Sequence, residues 1–275
     1  MSSHVARKPV RLVLFDVFDT LCTPRLPVHE QYYDEGIKGG ISPAHISPLR
    51  VRSAFKPAFK KVDASWPLYG KYTTPLLTPE EWWGKIIYET YLEAGAPPAE
   101  LEKKMDGILP NLLARFESDV GYKLFPETIE SLQALKAMGV KTGIVSNADP
   151  RIRNICTALT NLSVKTLRSF DILSHITNTP TLSWDVDASK PSLEIYQSAC
   201  RMAGEELGEG VIMVGDELKA DYQGSINAGL EGRLIRRPGE WSDGAQRQAV
   251  EDLESVNVIT SLTDLVKEVK ERNTV

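Results

Sequence analysis

The sequence predicts an α/β fold, a parallel-sheet core with an all-helical insertion after its first strand. Short apolar runs alternate with helical patterns near both ends of the chain, the order that β/α units of a parallel sheet require. Between about Thr23 and Leu124 there is no convincing strand, only helical spacing. The 275 residues are ample for a core domain plus a smaller inserted one.

The elements follow in order. Arg11–Phe15 (RLVLF) is a short buried strand. In the insertion, Thr78-Pro79-Glu80-Glu81 offers an N-cap, a first-turn proline and a capping-box glutamate. The helix it opens carries Trp82, Trp83, Ile86, Ile87 and Tyr91, and ends at Gly95 and Pro97-Pro98. A further helix covers Ala99 to Phe116, and Pro24 and Pro27 on one side and Gly121 on the other are the candidate hinges of the insertion. Pro126 to Gly139 is helical, with Ile129, Leu132, Leu135 and Met138 in steps of three and Gly139 as the stop. Val140 to Val145 reads as the next strand, and Phe170–Leu173 (FDIL) as a weaker one. Pro191 to Ala203 is a helix with Leu193, Ile195, Tyr196 and Ala199 on its apolar face. Val211–Val214 (VIMV) and Arg233–Ile235 (RLI) are strands, and Val258, Leu262, Leu265, Val266 and Val269 mark a packing helix.

Composition excludes several classes. Apolar content of 42% and charged content of 25% are ordinary for a globular protein. With a net charge of −5 and only short Lys/Arg runs, no nucleic-acid footprint is expected. Cys22, Cys156 and Cys200 lie far apart, and His4, His29, His45 and His175 lack ligand spacing, so neither a disulfide framework nor a zinc site is expected. No apolar run reaches membrane-spanning length, and no secretory signal precedes the first strand, so the expected location is cytoplasmic, with no membrane partner. Oligomeric state is not legible.

Ligands of an open parallel sheet bind beyond the carboxyl ends of its strands. Asp16-Val17-Phe18-Asp19-Thr20 follows the first strand, Ser146-Asn147 the second, and Gly215-Asp216-Glu217 the fourth, with Asp221 five residues on. Lys190 stands just before a helix. Taken singly, an Asp at a strand end is more often a cap, Ser-Asn a turn and Lys-Pro solvated surface. Their joint occurrence supplies one carboxylate to attack, others to hold a cation, and a hydroxyl, an amide and a lysine to hold an anion.

The order Asp16-x-x-x-Thr20, Ser146, Lys190, Gly215-Asp216-x-x-x-x-Asp221 resembles the four motifs of the haloacid dehalogenase-like (HAD) superfamily. GDELKADYQGSINAGL, from Gly215 to Leu230, is its most specific stretch. Trp66-Pro67-Leu68-Tyr69-Gly70, Glu81-Trp82-Trp83, the DVFDT motif and Asp221-Tyr222-Gln223-Gly224 resemble the subgroup called haloacid dehalogenase-like hydrolase domain-containing protein 3. The resemblance implies a Rossmann-like (HAD) core at 1–22 and 125–275 and a C1-type helical cap at 23–124.

It further implies Asp16 as nucleophile, with Ser146, Lys190 and the Asn147 amide stabilising the transferred group. Mg²⁺ would be held by Asp16, the Phe18 carbonyl and Asp216, with Asp221 orienting Lys190 or a metal-bound water. Thr20 would support the turn and the substrate. A phosphorylated small molecule is the implied substrate, by phosphomonoester hydrolysis. One departure stands out: Phe18 occupies the place of the usual acid/base aspartate, and proton transfer is typically worth about 10²–10⁴-fold in rate. Asp19 is the candidate replacement, although adjacent side chains of an extended segment diverge. Two alternatives stay open, a weak or inactive HAD-fold binding protein and a metal-independent dehalogenase-like hydrolase.

Two further readings concern packing. Trp66, Tyr69, Trp82 and Trp83 suit a pocket or partner groove, but large aromatics dominate small cores, so core packing is expected. Arg236-Arg237 and Trp241 after the fifth strand suit a loop near the site, but plain surface is the expected reading.

Overall fold

The computed structural model describes residues 7–157, 172–238 and 251–274. In chain order, β1 (Leu12–Phe15) and β2 (Cys22–Pro24) precede four helices: α1 (Val28–Lys38), α2 (Pro48–Ser65), α3 (Pro79–Glu93) and α4 (Pro98–Arg115). Next come β3 (Tyr122–Leu124), α5 (Thr128–Ala137), β4 (Lys141–Ser146), α6 (Ile152–Thr157), α7 (Ile172–His175), β5 (Thr181–Leu182), α8 (Ser183–Val186) and α9 (Leu193–Met202). β6 (Val211–Gly215), a π-helical turn (Leu218–Gln223), α10 (Gly224–Asn227), β7 (Glu231–Ile235), β8 (Val258–Ile259) and α11 (Leu262–Asn273) follow.

The chain divides into two compact units. One comprises residues 1–23, 124–148 and 156–275, and the other residues 24–123 and 149–155. The segment 149–155, assigned to the core by sequence, therefore packs with the helices. The short strands β2 and β3 stand at the margins of the region read as strand-free.

The first unit is a Rossmann-like α/β fold. Its sheet has six parallel strands in the order β5-β4-β1-β6-β7-β8. β1 is central, with Leu12 opposite Lys141 on one side and Val211 on the other. Every residue of β1 is buried, as an apolar strand covered on both faces must be. Leu12, Leu14, Met213, Ile195, Tyr196 and Ala199 join in one core cluster, which fixes α9 against the sheet. Because chain direction away from β1 reverses between β4 and β6, the carboxyl end of β1 opens on a topological switch point.

Two strand readings need correction. Of Phe170–Leu173, Phe170 and Asp171 lie outside the described residues, and Ile172 begins helix α7 instead. The edge position beside β4 belongs to Thr181–Leu182. Val258 is in β8, not in the C-terminal helix, because Ser261 caps α11 through a capping box with Asp264. Trp241 lies outside the described residues.

The second unit is helical. Thr78 and Asp264's counterpart there, Glu81, form the capping box that starts α3. Trp82 and Tyr91 are both essentially buried. Each such ring removes about 150–250 Å² from water, worth roughly 4–6 kcal/mol at about 25 cal/mol per Å². Trp82 also donates its indole N–H to the Trp66 carbonyl at 2.8 Å, and the Tyr91 hydroxyl donates to the Tyr32 carbonyl at 2.6 Å. Trp66, Tyr69 and Trp83 pack half-buried around Trp82, so the aromatics do form a core. Trp66 additionally borders a cavity of about 550 Å³ with Lys61, Lys85, Tyr88 and Met105. Among the described residues no helix is long and apolar enough to cross a membrane.

Candidate active site

The site lies wholly in the α/β unit. A cavity of about 300 Å³ is lined by Asp16, Phe18, Asp19, Ser146, Asn147, Lys190, Asp216, Glu217 and Ala220. Asp16 terminates β1, its N–H still donating to the Val214 carbonyl at 2.9 Å, so the sheet itself aims the carboxylate. Ser146 ends β4, and Asp216 follows Gly215 at the end of β6.

Lys190 organises the centre. Its ammonium donates to Asp16 Oδ1 at 2.8 Å and to Asp221 Oδ1 at 2.6 Å. The Asn147 side chain grips the lysine backbone twice, accepting its N–H at 2.7 Å and donating to its carbonyl at 2.9 Å. Burial alone favours the neutral amine, but the Asp16 and Asp221 charges outweigh it and hold Lys190 above its ordinary pKa. It is therefore an ammonium. Burial pushes the Asp221 carboxyl up to about 6, against the pull of Lys190 and with the charge of Asp16 adding to the rise. The second Asp221 oxygen accepts the Glu217 N–H at 2.9 Å, so this aspartate holds both the lysine and the turn after β6.

Gly215 makes that possible. A Cβ there would overlap the Asp221 carboxylate, so only glycine lets the π-helical turn fold back on β6.

Carboxylate oxygens of Asp16, Asp216 and Asp221 all lie within 4.8 Å of one another. Three carboxylates thus converge on one point of a largely buried pocket, beside the Lys190 ammonium. Converging hard oxygen donors of this kind match a divalent cation such as Mg²⁺.

The loop after β1 departs from the extended geometry expected of it. Asp19 has φ +52°, and Phe18 and Cys22 form an isolated bridge, so the chain turns back at once. Asp19 thereby reaches the cavity wall, where its Oδ1 accepts the Thr23 hydroxyl at 2.8 Å. Thr20, expected at the substrate, is instead fully buried, with its hydroxyl unpartnered and away from the cavity wall.

Arg237, expected at the surface, is buried, and Arg236 is half-buried; both reach the loops that line the site. Arg237 donates to the carbonyls of Asp19 at 3.0 Å and Thr20 at 2.8 Å, pairs with Glu127 at 2.8 Å and lies 3.5 Å above the Phe125 ring. Arg236 donates to the Asp216 carbonyl and pairs with Glu251 at 2.8 Å. One dipeptide thus holds both carboxylate-bearing loops. Of the two readings the sequence left open, the loop near the site holds, because two arginines at the carboxyl end of a parallel strand adjoin the ligand edge of the sheet.

Cysteine is not a competing nucleophile. Cys22 and Cys156 are free and buried; burial raises both thiols, helped at Cys22 by Cys156 and then Asp19 and Asp16, and at Cys156, pushed up to about 12, by Asp16.

A family model for haloacid dehalogenase-like hydrolases matches residues 10–229. The chain belongs to the haloacid dehalogenase-like hydrolases. Among relatives of this HAD chain, haloacid dehalogenase-like hydrolase domain-containing protein 3 of Danio rerio is 31% identical, over 94% of this chain and 96% of that one. Two solved structures share the HAD fold. A crystal structure of a dehalogenase has TM-score 0.64 at 16% identity, covering 98% of both chains. A HAD phosphatase from Thermococcus onnurineus has TM-score 0.55 at 23% identity, over 94% of this chain and 98% of that one.

Proposed function

We propose that this HAD hydrolase cleaves phosphomonoesters of small molecules through an aspartyl-phosphate on Asp16, with Mg²⁺ as cofactor. The cluster of Asp16, Asp216 and Asp221 beside the Lys190 ammonium carries the reading, because its converging carboxylate oxygens are the hard donors a divalent cation takes. Asp16, Asp216 and the Phe18 carbonyl would hold the ion. When bound, Mg²⁺ neutralises charge on the phosphoryl oxygens and orients the group.

The chain's own groups do the rest. Phosphoryl transfer needs mainly positioning and electrostatic stabilisation. Asp16 attacks phosphorus, the Lys190 ammonium meets the charge on the phosphoryl oxygens, and the Ser146 hydroxyl and Asn147 amide complete the anion cradle. Asp221 keeps Lys190 aimed. Asn147 fixes its backbone.

The test compares wild type with Asp16→Asn on generic phosphate esters and a panel of phosphorylated metabolites with Mg²⁺. Asp16-dependent phosphate release is expected, and equal rates for the two proteins defeat the proposal. A second reading, metal-independent dehalogenation, draws on Phe18 in the cavity wall, since a phenyl ring moves no proton. Asp16-dependent halide release without metal would select it.

A further inference from the structure

We infer that the helical unit carries a second binding site, for a small molecule with one carboxylate head and an apolar tail. The site is the cavity of about 550 Å³ between α2, α3 and α4, and it shares no residue with the cavity around Asp16. Its volume falls within the roughly 300–1,000 Å³ usual for small-molecule sites.

Helical spacing builds the walls. Glu81, Gly84, Lys85, Tyr88 and Glu89 recur at i, i+3, i+4, i+7 and i+8, so α3 turns one face to the cavity. Trp83 stands about 200° round the helix from Glu81, and it donates its indole N–H to Asp149 at 2.8 Å instead. The cavity therefore opens on the side of α3 away from Asp149. Val62 comes to it from α2, and Met105 and Leu109, one turn apart, from α4. Gly84 keeps the space, because a Cβ there would stand 3.2 Å from a Leu109 methyl. Glycine is a poor residue for a helix interior, and here it leaves open a recess that close packing would otherwise fill.

The lining selects the ligand. Val62 and Leu77 are buried and Trp66, Met105 and Leu109 half-buried, which makes an apolar floor. Four charged side chains stand on the walls, and three of them are already engaged. Lys61 pairs with Glu89 at 2.7 Å, and Glu81 accepts the Thr78 N–H at 2.7 Å in the capping box. Lys85 is the exception. Its ammonium lies 4.5 Å from the centroid of the Trp66 ring and pairs with no carboxylate among the described residues. A cation resting on an aromatic ring keeps N–H donors for an acceptor. A cationic ligand would find the Trp66 face taken by Lys85 and both carboxylates engaged. A neutral apolar ligand would leave the ammonium unanswered. A carboxylate with an apolar tail meets both features, its head on Lys85 and its tail over the floor. Tyr88, three residues along the same face, has a hydroxyl with no hydrogen-bond partner among the described residues and can add a second donor.

The experiment titrates the full chain calorimetrically with hexanoate, octanoate, decanoate and decanol. Wild type should bind one decanoate, with affinity rising about threefold to fourfold for each methylene added. Decanol, which lacks the charge, should bind about tenfold more weakly. Lys85→Gln should weaken decanoate about tenfold and leave decanol as it was, erasing the preference, and Lys85→Arg should restore it. Gly84→Leu should abolish binding of both, with circular dichroism reporting its fold. Lys85 is half-exposed, so its substitutions give a readout that does not depend on the glycine variant folding. Asp16→Asn should bind decanoate as wild type does. No saturable decanoate binding, equal affinity in wild type and Lys85→Gln, or an affinity indifferent to chain length overturns the inference. Loss of decanoate binding in Asp16→Asn overturns it too, by moving the ligand to the other cavity. So does a wild-type dimer in sedimentation that decanoate dissociates, since the cavity would then belong to a second copy of the chain.

Discussion

Replacing Arg237 with methionine should loosen the loop that carries Phe18 and Asp19 before it does anything else. Methionine keeps most of the stem's apolar contact but removes two charged donations to the carbonyls of Asp19 and Thr20 and the pair with Glu127. Hydrogen bonds from charged donors are worth about 1.5–3 kcal/mol each. Breaking one side of a buried ion pair costs roughly 3–5 kcal/mol, here reduced because Glu127 retains 20% side-chain exposure. The stacking on Phe125 adds about 0.5–2 kcal/mol. These contributions overlap, so a net loss of about 3–5 kcal/mol is expected. At about 2–4 °C per kcal/mol for a domain of this size, that lowers Tm by roughly 6–20 °C. Arg237→Lys should recover only part, since a point charge cannot fork between two carbonyls. The assay is thermal and urea unfolding, followed by Mg²⁺ titration below the new transition, where the folded variant should bind the ion more weakly. A Tm within 2 °C of wild type together with unchanged Mg²⁺ affinity would refute the clamp.

Three other outcomes are expected. Gly215→Ala should leave a folded protein, by circular dichroism, whose phosphate release falls at least about 10²-fold, because Asp221 must move away and release Lys190. Glu231 is raised by burial but lowered more by Arg272 and the Gly210 amide, from an ordinary 4.5 to about 2. A depressed carboxyl stabilises the fold above its unfolded pKa and loses that contribution as pH falls towards 2, so wild type should lose stability between about pH 4.5 and 2. In Glu231→Gln that part of the acid sensitivity should vanish from equilibrium unfolding. Thr78→Ala should cost about 1 kcal/mol by removing one half of the α3 capping box, measured as a shift in urea midpoint at constant m.

How much of this was legible follows the strength of local signals. β1 and β6 could be read because strands buried on both faces become unbroken apolar runs, and β4 from its shorter Gly143–Val145 run directly after a helix stop. Their carboxyl ends then singled out Asp16, Ser146 and Asp216 without any coordinates. β5 could not be read, since two residues carry no period. Val258 joined a false helix because its four-residue spacing to Leu262 ran through the true cap at Ser261. The role of Asn147 as a holder of Lys190 depends on a contact across 43 residues, which no local pattern encodes, whereas the hold of Asp221 on it was implied only by the family resemblance. Arg236 and Arg237 were misjudged because charge predicts exposure unless partners are known, and theirs lie up to 218 residues away.

The central place of β1 has a consequence for biogenesis. It is made before the other strands of its sheet, so both of its hydrogen-bonding edges wait for partners made later: β4, more than a hundred residues on, and then β6. Until they arrive, the emerging chain carries an apolar ribbon open on two sides, the kind of edge that recruits neighbouring chains. Long-range parallel pairing is also slow. Recovery from denaturant should therefore fall with protein concentration, and holding the chain dilute, or giving it a chaperone, should matter most before residues 211–215 have docked.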